Sequence, residues 1–114
     1  MKVEIKKSSK HDKKLMAIFS YENGKKIRTV HFGAKGMSDF TIHKDKNRRE
    51  RYISRHKRDL RTGDPTRAGF LSMYVLWGDE PDLKKSIKDY KKRLQIYTKT
   101  GKFPLSIKGT KQLP

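Results

Sequence analysis

The chain has no cysteine, and only 12 of its 114 residues are acidic. Without cysteine there are no disulfides, no thiolate metal sites and no cysteine nucleophile, which suits a cytosolic, nuclear or virion-interior setting. No apolar run approaches the length that spans a bilayer. The start, Met1-Lys2-Val3-Glu4-Ile5, lacks the apolar core of a signal peptide, so a soluble or at most peripheral protein is expected. No H-x-x-x-H or H-E-x-x-H spacing occurs, and there is no zinc finger, RNA-binding aromatic signature or leucine zipper. The shortage of acid has the largest consequence. Against it stand 30 Lys and Arg, for a formal net charge of +18. Self-repulsion on this scale opposes a compact state, and a polyanionic partner relieves it. DNA, RNA, an anionic membrane or an acidic protein surface would each serve.

The length suits one domain with a modest core. Val3 and Ile5 alternate with charged residues as in a short half-buried strand. Leu15–Tyr21 and Lys26–Phe32 read as two more strands, joined through Asn23-Gly24, the favoured pair for a type I′ hairpin. Gly33-Ala34-Lys35-Gly36 has neither the spacing of a P-loop nor a Ser or Thr after its lysine, and reads as a turn. Met37, Phe40 and Ile42 are expected to pack on the hairpin.

A basic run follows, free of Gly and Pro, which predicts a helix from about Asp45 to Arg58. Tyr52, Ile53, His56 and Leu60 give it a narrow apolar stripe. Arg48, Arg51, Arg55 and Arg58 recur at three- and four-residue steps and so share a face. A single exposed arginine needs no explanation, but a row of them repels itself unless an anion lies opposite.

After the turn Arg61–Pro65, Thr66 is expected to cap a short helix, Arg67 to Trp77, that supplies much of the core and ends at Gly78. Asp82 reads as the N-cap of an amphipathic helix whose inner face carries Leu83, Ile87, Tyr90, Leu94 and Tyr97. Its outer face carries Lys84, Lys85, Lys88, Lys91, Lys92 and Arg93. The remainder, 102–114, has Phe103, Leu105 and Ile107 at alternating positions, as in an arm that docks on a partner or a last edge strand. The fold expected is α+β: a small N-terminal antiparallel hairpin sheet covered by two or three helices, residues 1–101, with an extended C-terminal arm, residues 102–114.

Phe32-Gly33-Ala34-Lys35-Gly36-Met37-Ser38-Asp39-Phe40-Thr41-Ile42-His43-Lys44-Asp45 resembles part of a small basic domain family of unassigned function. Its members are encoded mainly by large nucleocytoplasmic DNA viruses, including the chlorella viruses and relatives of mimivirus. The segments 51–56, 68–77 and 83–87 resemble the same domain, so the likeness runs from about Tyr21 to Leu94. Where that family has a second tryptophan, near Met73 or Tyr74, this chain has none. The resemblance implies a viral protein carried in the virion, and present in host cytoplasm or nucleus during infection.

For catalysis the best polar cluster is Asp39, His43, Asp45 and His56, which would suit a metal-dependent nuclease with histidine as base. His43 and His56 are too far apart in sequence to share a helical turn, so a non-catalytic protein without cofactor, metal or small-molecule substrate is expected. The candidate anion-binding residues of the central run are Lys44, Lys46, Arg48, Arg49, Arg51, Arg55, Lys57 and Arg58. Lys84, Lys88, Lys91 and Lys92 extend the set on the last helix. With DNA as partner, contact falls on phosphates and is largely independent of sequence. Tyr52 and Trp77 can stack on bases, though core packing is the commoner job for such residues. The alternative partner is the acidic surface of capsid proteins, with the chain filling gaps between coat proteins as a minor capsid component. A membrane surface fits less well, since the basic helices lack a broad aromatic face.

Overall fold

Alternation of apolar and charged residues sets β1, and the pairing of its apolar face with the next strand sets the sheet. In a computed structural model that describes all 114 residues, β1 (Lys2–Lys7), β2 (Lys13–Ser20) and β3 (Lys26–Ala34) form an antiparallel meander in the order β1-β2-β3. Val3 pairs with Phe19, Ile5 and Val30 with Ala17, and Leu15 with Phe32, which gathers these side chains on the face that meets the core. The hairpin at Asn23-Gly24 forms, but not through a type I′ turn. A longer loop, Tyr21–Lys25, joins the strands, and only Gly24 adopts positive φ (89°). The Tyr21 carbonyl accepts from the Gly24 N–H at 2.9 Å, and the Tyr21 N–H donates to the Lys25 carbonyl at 2.8 Å. A single left-handed residue is enough for a loop of this length.

The basic run splits where its local hydrogen bonds dictate. Asp39 caps a one-turn helix, α1 (Phe40–His43), by accepting from the Thr41 N–H. Lys44 then takes the left-handed conformation (φ 57°) that ends it. Asp45 caps α2 (Lys46–His56) by accepting from the N–H groups of Asn47 and Arg48. The chain tightens into a 3₁₀ segment, Lys57–Thr62, where an unbroken α-helix through Arg58 was expected. Of the three apolar side chains before α2, only Phe40 is buried, whereas Met37 and Ile42 are exposed.

The core segment departs furthest from its expected form. Arg67 occupies the N-cap position without a side-chain cap, and Thr66 instead bonds to Asp64 and to Arg28. Only α3 (Ala68–Leu71) is α-helical; Ser72–Leu76 widens into a π-helical turn. Phe70, Leu71 and every residue from Met73 to Trp77 are buried, so this segment is enclosed on all sides, with the sheet and the last helix against it. The carbonyls freed by the wider turn need donors. The Ser86 hydroxyl meets two of them, Val75 at 2.5 Å and Tyr74 at 3.1 Å. Gly78 lets the chain leave at close quarters: a Cβ there would lie 2.5 Å from the Tyr74 carbonyl oxygen.

The last helix, α4 (Leu83–Thr100), follows Asp82, whose side chain makes no cap hydrogen bond. Tyr90 and Leu94 face inward as their spacing requires, and the Tyr90 hydroxyl donates to the Pro65 carbonyl at 2.7 Å. Lys84, Lys85, Lys88, Lys91 and Lys92 are exposed. Arg93, expected among them, is buried. No helix is long and apolar enough to cross a membrane.

Residues 102–114 are extended, but they dock on their own domain and add no strand. Phe103, Ile107 and Leu113 are buried in the core, with Phe103 edge-on to Phe70 at 5.3 Å. Two guanidiniums fasten this stretch. Arg93 donates to the Pro104 carbonyl at 2.6 Å while pairing with Asp89 at 2.8 Å and Asp79 at 3.1 Å. Arg49 donates to the Lys108 carbonyl at 2.5 Å and to the Gly78 carbonyl at 3.1 Å. Asp79 also accepts from the Lys108 N–H at 2.6 Å, and the Tyr74 hydroxyl donates to the Leu105 carbonyl at 2.6 Å. A boundary at 101 therefore cuts through the core, and the arm belongs to the domain.

Removing Arg93 leaves Asp79 and the Pro104 carbonyl without their buried donor. Arg93→Met is expected to destabilise the protein by about 3–5 kcal/mol. Arg48→Met, at an exposed position one residue from the other clamp, should change stability by no more than about 0.5 kcal/mol. Chemical denaturation of the two variants checks this; equal stabilities would remove the clamp from the account.

Candidate anion-binding cleft

Helix α2 turns two kinds of arginine in different directions. Residues 48, 51 and 55 lie on one face by their spacing, and Arg49 is rotated from them toward Ile53, one turn on. The structure places Arg48, Arg51 and Arg55 along one wall of a cleft of about 430 Å³. Gly33, Ala34, Met37 and Ser38, from the end of β3 and the turn after it, form the facing side. Tyr52, Leu76 and Trp77 also line it. None of these three arginines makes an ion pair with Asp or Glu. The one acid among the lining residues is Asp39, buried, paired with Lys14 at 2.5 Å and accepting from the N–H and hydroxyl of Thr41. Its charge is already taken.

A ladder of rings supports the cleft. Trp77 lies parallel to Tyr52 at 4.2 Å, with 2° between the planes, and His56 stacks on Tyr52 from the other side at 4.2 Å. His43 tilts against Trp77 at 5.3 Å. Both faces of Tyr52 are therefore covered and Trp77 is buried, so neither ring is open to a base, and core packing is their job. Burial, with Asp59 adding to it, pushes the Tyr52 hydroxyl up to about 12, so it stays protonated. His43 is held below the usual imidazole range by burial and then by Arg48. Its Nδ1 accepts from the Asp45 N–H at 2.8 Å, and its Nε2 is buried without a partner. The Asp45 carboxylate is held below its ordinary range, chiefly by the N–H of Arg48.

These positions divide the expected nuclease cluster. Asp39 is committed to Lys14, Asp45 to the start of α2, and His43 and His56 stand at opposite ends of the ladder. No three His, Asp or Glu side chains converge as metal ligands would.

The expected anion-binding set is divided as well. Arg49 does not belong to it: the side chain is buried, its guanidinium lies over the Phe40 ring at 4.8 Å, and its bonds go to main-chain carbonyls. Arg58 lies in the 3₁₀ segment, outside the cleft and exposed. Lys44 reaches the Pro81 carbonyl at 3.0 Å, Lys57 reaches Gln112 at 3.2 Å, and Lys46 is exposed at the start of α2. Lys84, Lys88, Lys91 and Lys92 are exposed on α4 and line no part of the cleft, so they form a separate basic face. Lys14 is the cleft residue that sequence reasoning missed. It sits near the start of β2, thirty-four positions before Arg48, with which it lines the cleft, and nothing in its local pattern marks it.

No curated protein and no solved structure matches the chain. Residues 3–56, just under half of it, match the sequence model of a family of unknown function (DUF5754), a span that takes in the sheet and α2 with its arginines.

Proposed function

We propose that this chain is a non-catalytic, virion-associated structural protein of a large DNA virus that binds an anionic surface, with DNA phosphates contacted irrespective of base sequence. One observation carries the reading: Arg48, Arg51 and Arg55 share a cleft wall on which no acid pairs with them. Arginine's forked donors suit phosphate oxygens, and the net charge of +18 draws the chain to any polyanion. With the faces of Tyr52 and Trp77 covered, contact with the backbone is favoured over readout of bases. The viral setting rests on the resemblance of residues 32–45, 51–56, 68–77 and 83–87 to proteins of such viruses.

A second reading has its own observation. The lysines of α4 form a basic face remote in sequence from the cleft, as a minor capsid protein would need to grip acidic coat-protein surfaces while filling a gap between them. A free C-terminal arm would suit such gap-filling, whereas Phe103, Ile107 and Leu113 are spent on the chain's own core.

Salt dependence tests the phosphate reading. Each lost contact should flatten the log–log slope of affinity against salt by about 0.9 on duplex DNA and about 0.7 on a single strand. The double variant Arg51→Ala/Arg55→Ala should bind every sequence more weakly, with a slope lower by roughly 2 on a duplex and an unchanged melting temperature. An unaltered slope would sink the assignment.

Nuclease activity is expected to be absent. Purified protein incubated with labelled DNA or RNA and Mg²⁺, Mn²⁺ or Zn²⁺ should leave it intact, because Asp39 is neutralised by Lys14 and His43 Nδ1 is occupied by a main-chain N–H. Metal-dependent cutting that disappears in His43→Ala would overturn the non-catalytic reading.

A further inference from the structure

The cleft does not end at Arg55. The same side chain borders a second, more open concavity of about 540 Å³, shared with Lys57, Arg58 and Arg61 and lined also by Leu113. Arg58 and Arg61 also border a third, shallow and open, which Asp59 lines as well and which reaches Arg67. The three hollows thus share walls, and every shared residue is an arginine. At about 1.5 Å per residue in α2 and about 2 Å per residue in the 3₁₀ segment, the path from Arg48 to Arg61 is on the order of 20 Å. Arg61, like Arg58, is exposed and makes no ion pair, so the cationic row continues past the end of α2.

The shape of this path selects among nucleic acids. A duplex is a stiff, wide cylinder that meets a protein along an outward-facing surface. Here Arg48, Arg51 and Arg55 border a cleft that Met37 and Ser38 also line, and the row runs on from it over the more open surface at Arg58 and Arg61, which Leu113 borders. A flexible single strand can enter such hollows and place successive phosphates against Arg51, Arg55, Arg58 and Arg61. Grooves of this kind usually add a ring on which a base stacks. The ring ladder has one member left for that purpose. His56 lines the cleft and is covered on one face by Tyr52, with its Nδ1 toward Asp59 at 3.3 Å, yet 43% of its side-chain surface is open. A base laid on its outer face would extend the series His43, Trp77, Tyr52, His56 by one ring.

We propose that the joined hollows are a binding groove for single-stranded nucleic acid, with phosphates on the Arg48–Arg61 row and one base stacked on His56. The groove length matches on the order of four nucleotides, the lower end for small single-strand modules. This rests on the phosphate reading of the cleft and names the form of nucleic acid that it takes.

The test is fluorescence anisotropy with a labelled twelve-nucleotide oligothymidylate and a twelve-base-pair duplex at the same salt. The single strand should bind at least about tenfold more tightly. Arg61→Ala should weaken the single strand several-fold and the duplex little. His56→Ala should weaken the single strand at least about fivefold, and His56→Phe, which keeps a ring on Tyr52, should restore it. Polyglutamate at matched charge should not displace the oligonucleotide. A duplex bound as tightly as the single strand, indifference to Arg61→Ala, or no rescue by His56→Phe each overturns the groove. Displacement by polyglutamate at matched charge does so too and points to an acidic protein. If neither form of DNA binds in a salt-dependent way, it is the phosphate reading itself that fails.

Discussion

The fold depends on two guanidiniums taken out of water to hold main-chain carbonyls of residues 102–114. Without Arg49 on Lys108 and Arg93 on Pro104, the stretch that brings Phe103, Ile107 and Leu113 into the core would be held by apolar contact, the Tyr74 hydroxyl and a few side-chain bonds. A charge is tolerated in such a place only with strong partners. Arg93 has two carboxylates and a carbonyl, with the Tyr74 ring at 4.9 Å. Arg49 has two carbonyls and the face of Phe40, and its Nε is left without a partner. Burial accordingly holds Arg49 below the usual arginine range, with Asp79 and then Glu50 opposing that shift.

The scarcity of acid explains the rest. Asp79 and Asp89 serve Arg93, Asp39 serves Lys14, Asp64 serves Arg28 and Arg67, and Asp45 caps α2. These carboxylates are spent on folding, and none is left beside the cleft arginines. The chain thus concentrates its few negative charges where they fasten elements together. The leftover positive charge then collects on surfaces that a partner can cover. Under the proposed function, stability and binding would be linked through this division, because an anion in the groove would relieve repulsion that the fold itself does not relieve.

Much of this was legible in residue patterns, and the failures have physical causes. Two-residue alternation at Val3 and Ile5 located β1, since a one-face-buried strand leaves little freedom, and the strand-like runs on either side of Asn23-Gly24 located β2 and β3. Asn23-Gly24 marked the hairpin but not its turn type, which depends on loop length and on a register shift at Phe19/Ser20. The run from Phe70 to Trp77 was readable as core. Its π-helical turn was not, because five consecutive buried residues, Met73–Trp77, carry no helical period, and the widening is accommodated by a hydroxyl on another helix, Ser86. Arg49 and Arg93 carried a signal that charge obscured. Arg49 stands four residues before Ile53, and Arg93 three after Tyr90 and four before Tyr97, so both fall on apolar stripes. Residues 103–107 were recognisably apolar, but where they dock is a long-range matter that alternation cannot convey.

The central claim is that α2 and its surroundings divide the arginines into those that build the domain and those that meet its partner. Arginine side-chain Nε–Hε resonances, followed by NMR while a short single-stranded oligonucleotide is added, test it directly. The account predicts that Arg49 and Arg93 exchange slowly with solvent and keep their positions throughout, while Arg48, Arg51 and Arg55 shift together as the oligonucleotide binds. Shifts of Arg49 or Arg93 in step with the oligonucleotide, or stationary resonances for the other three, would contradict it.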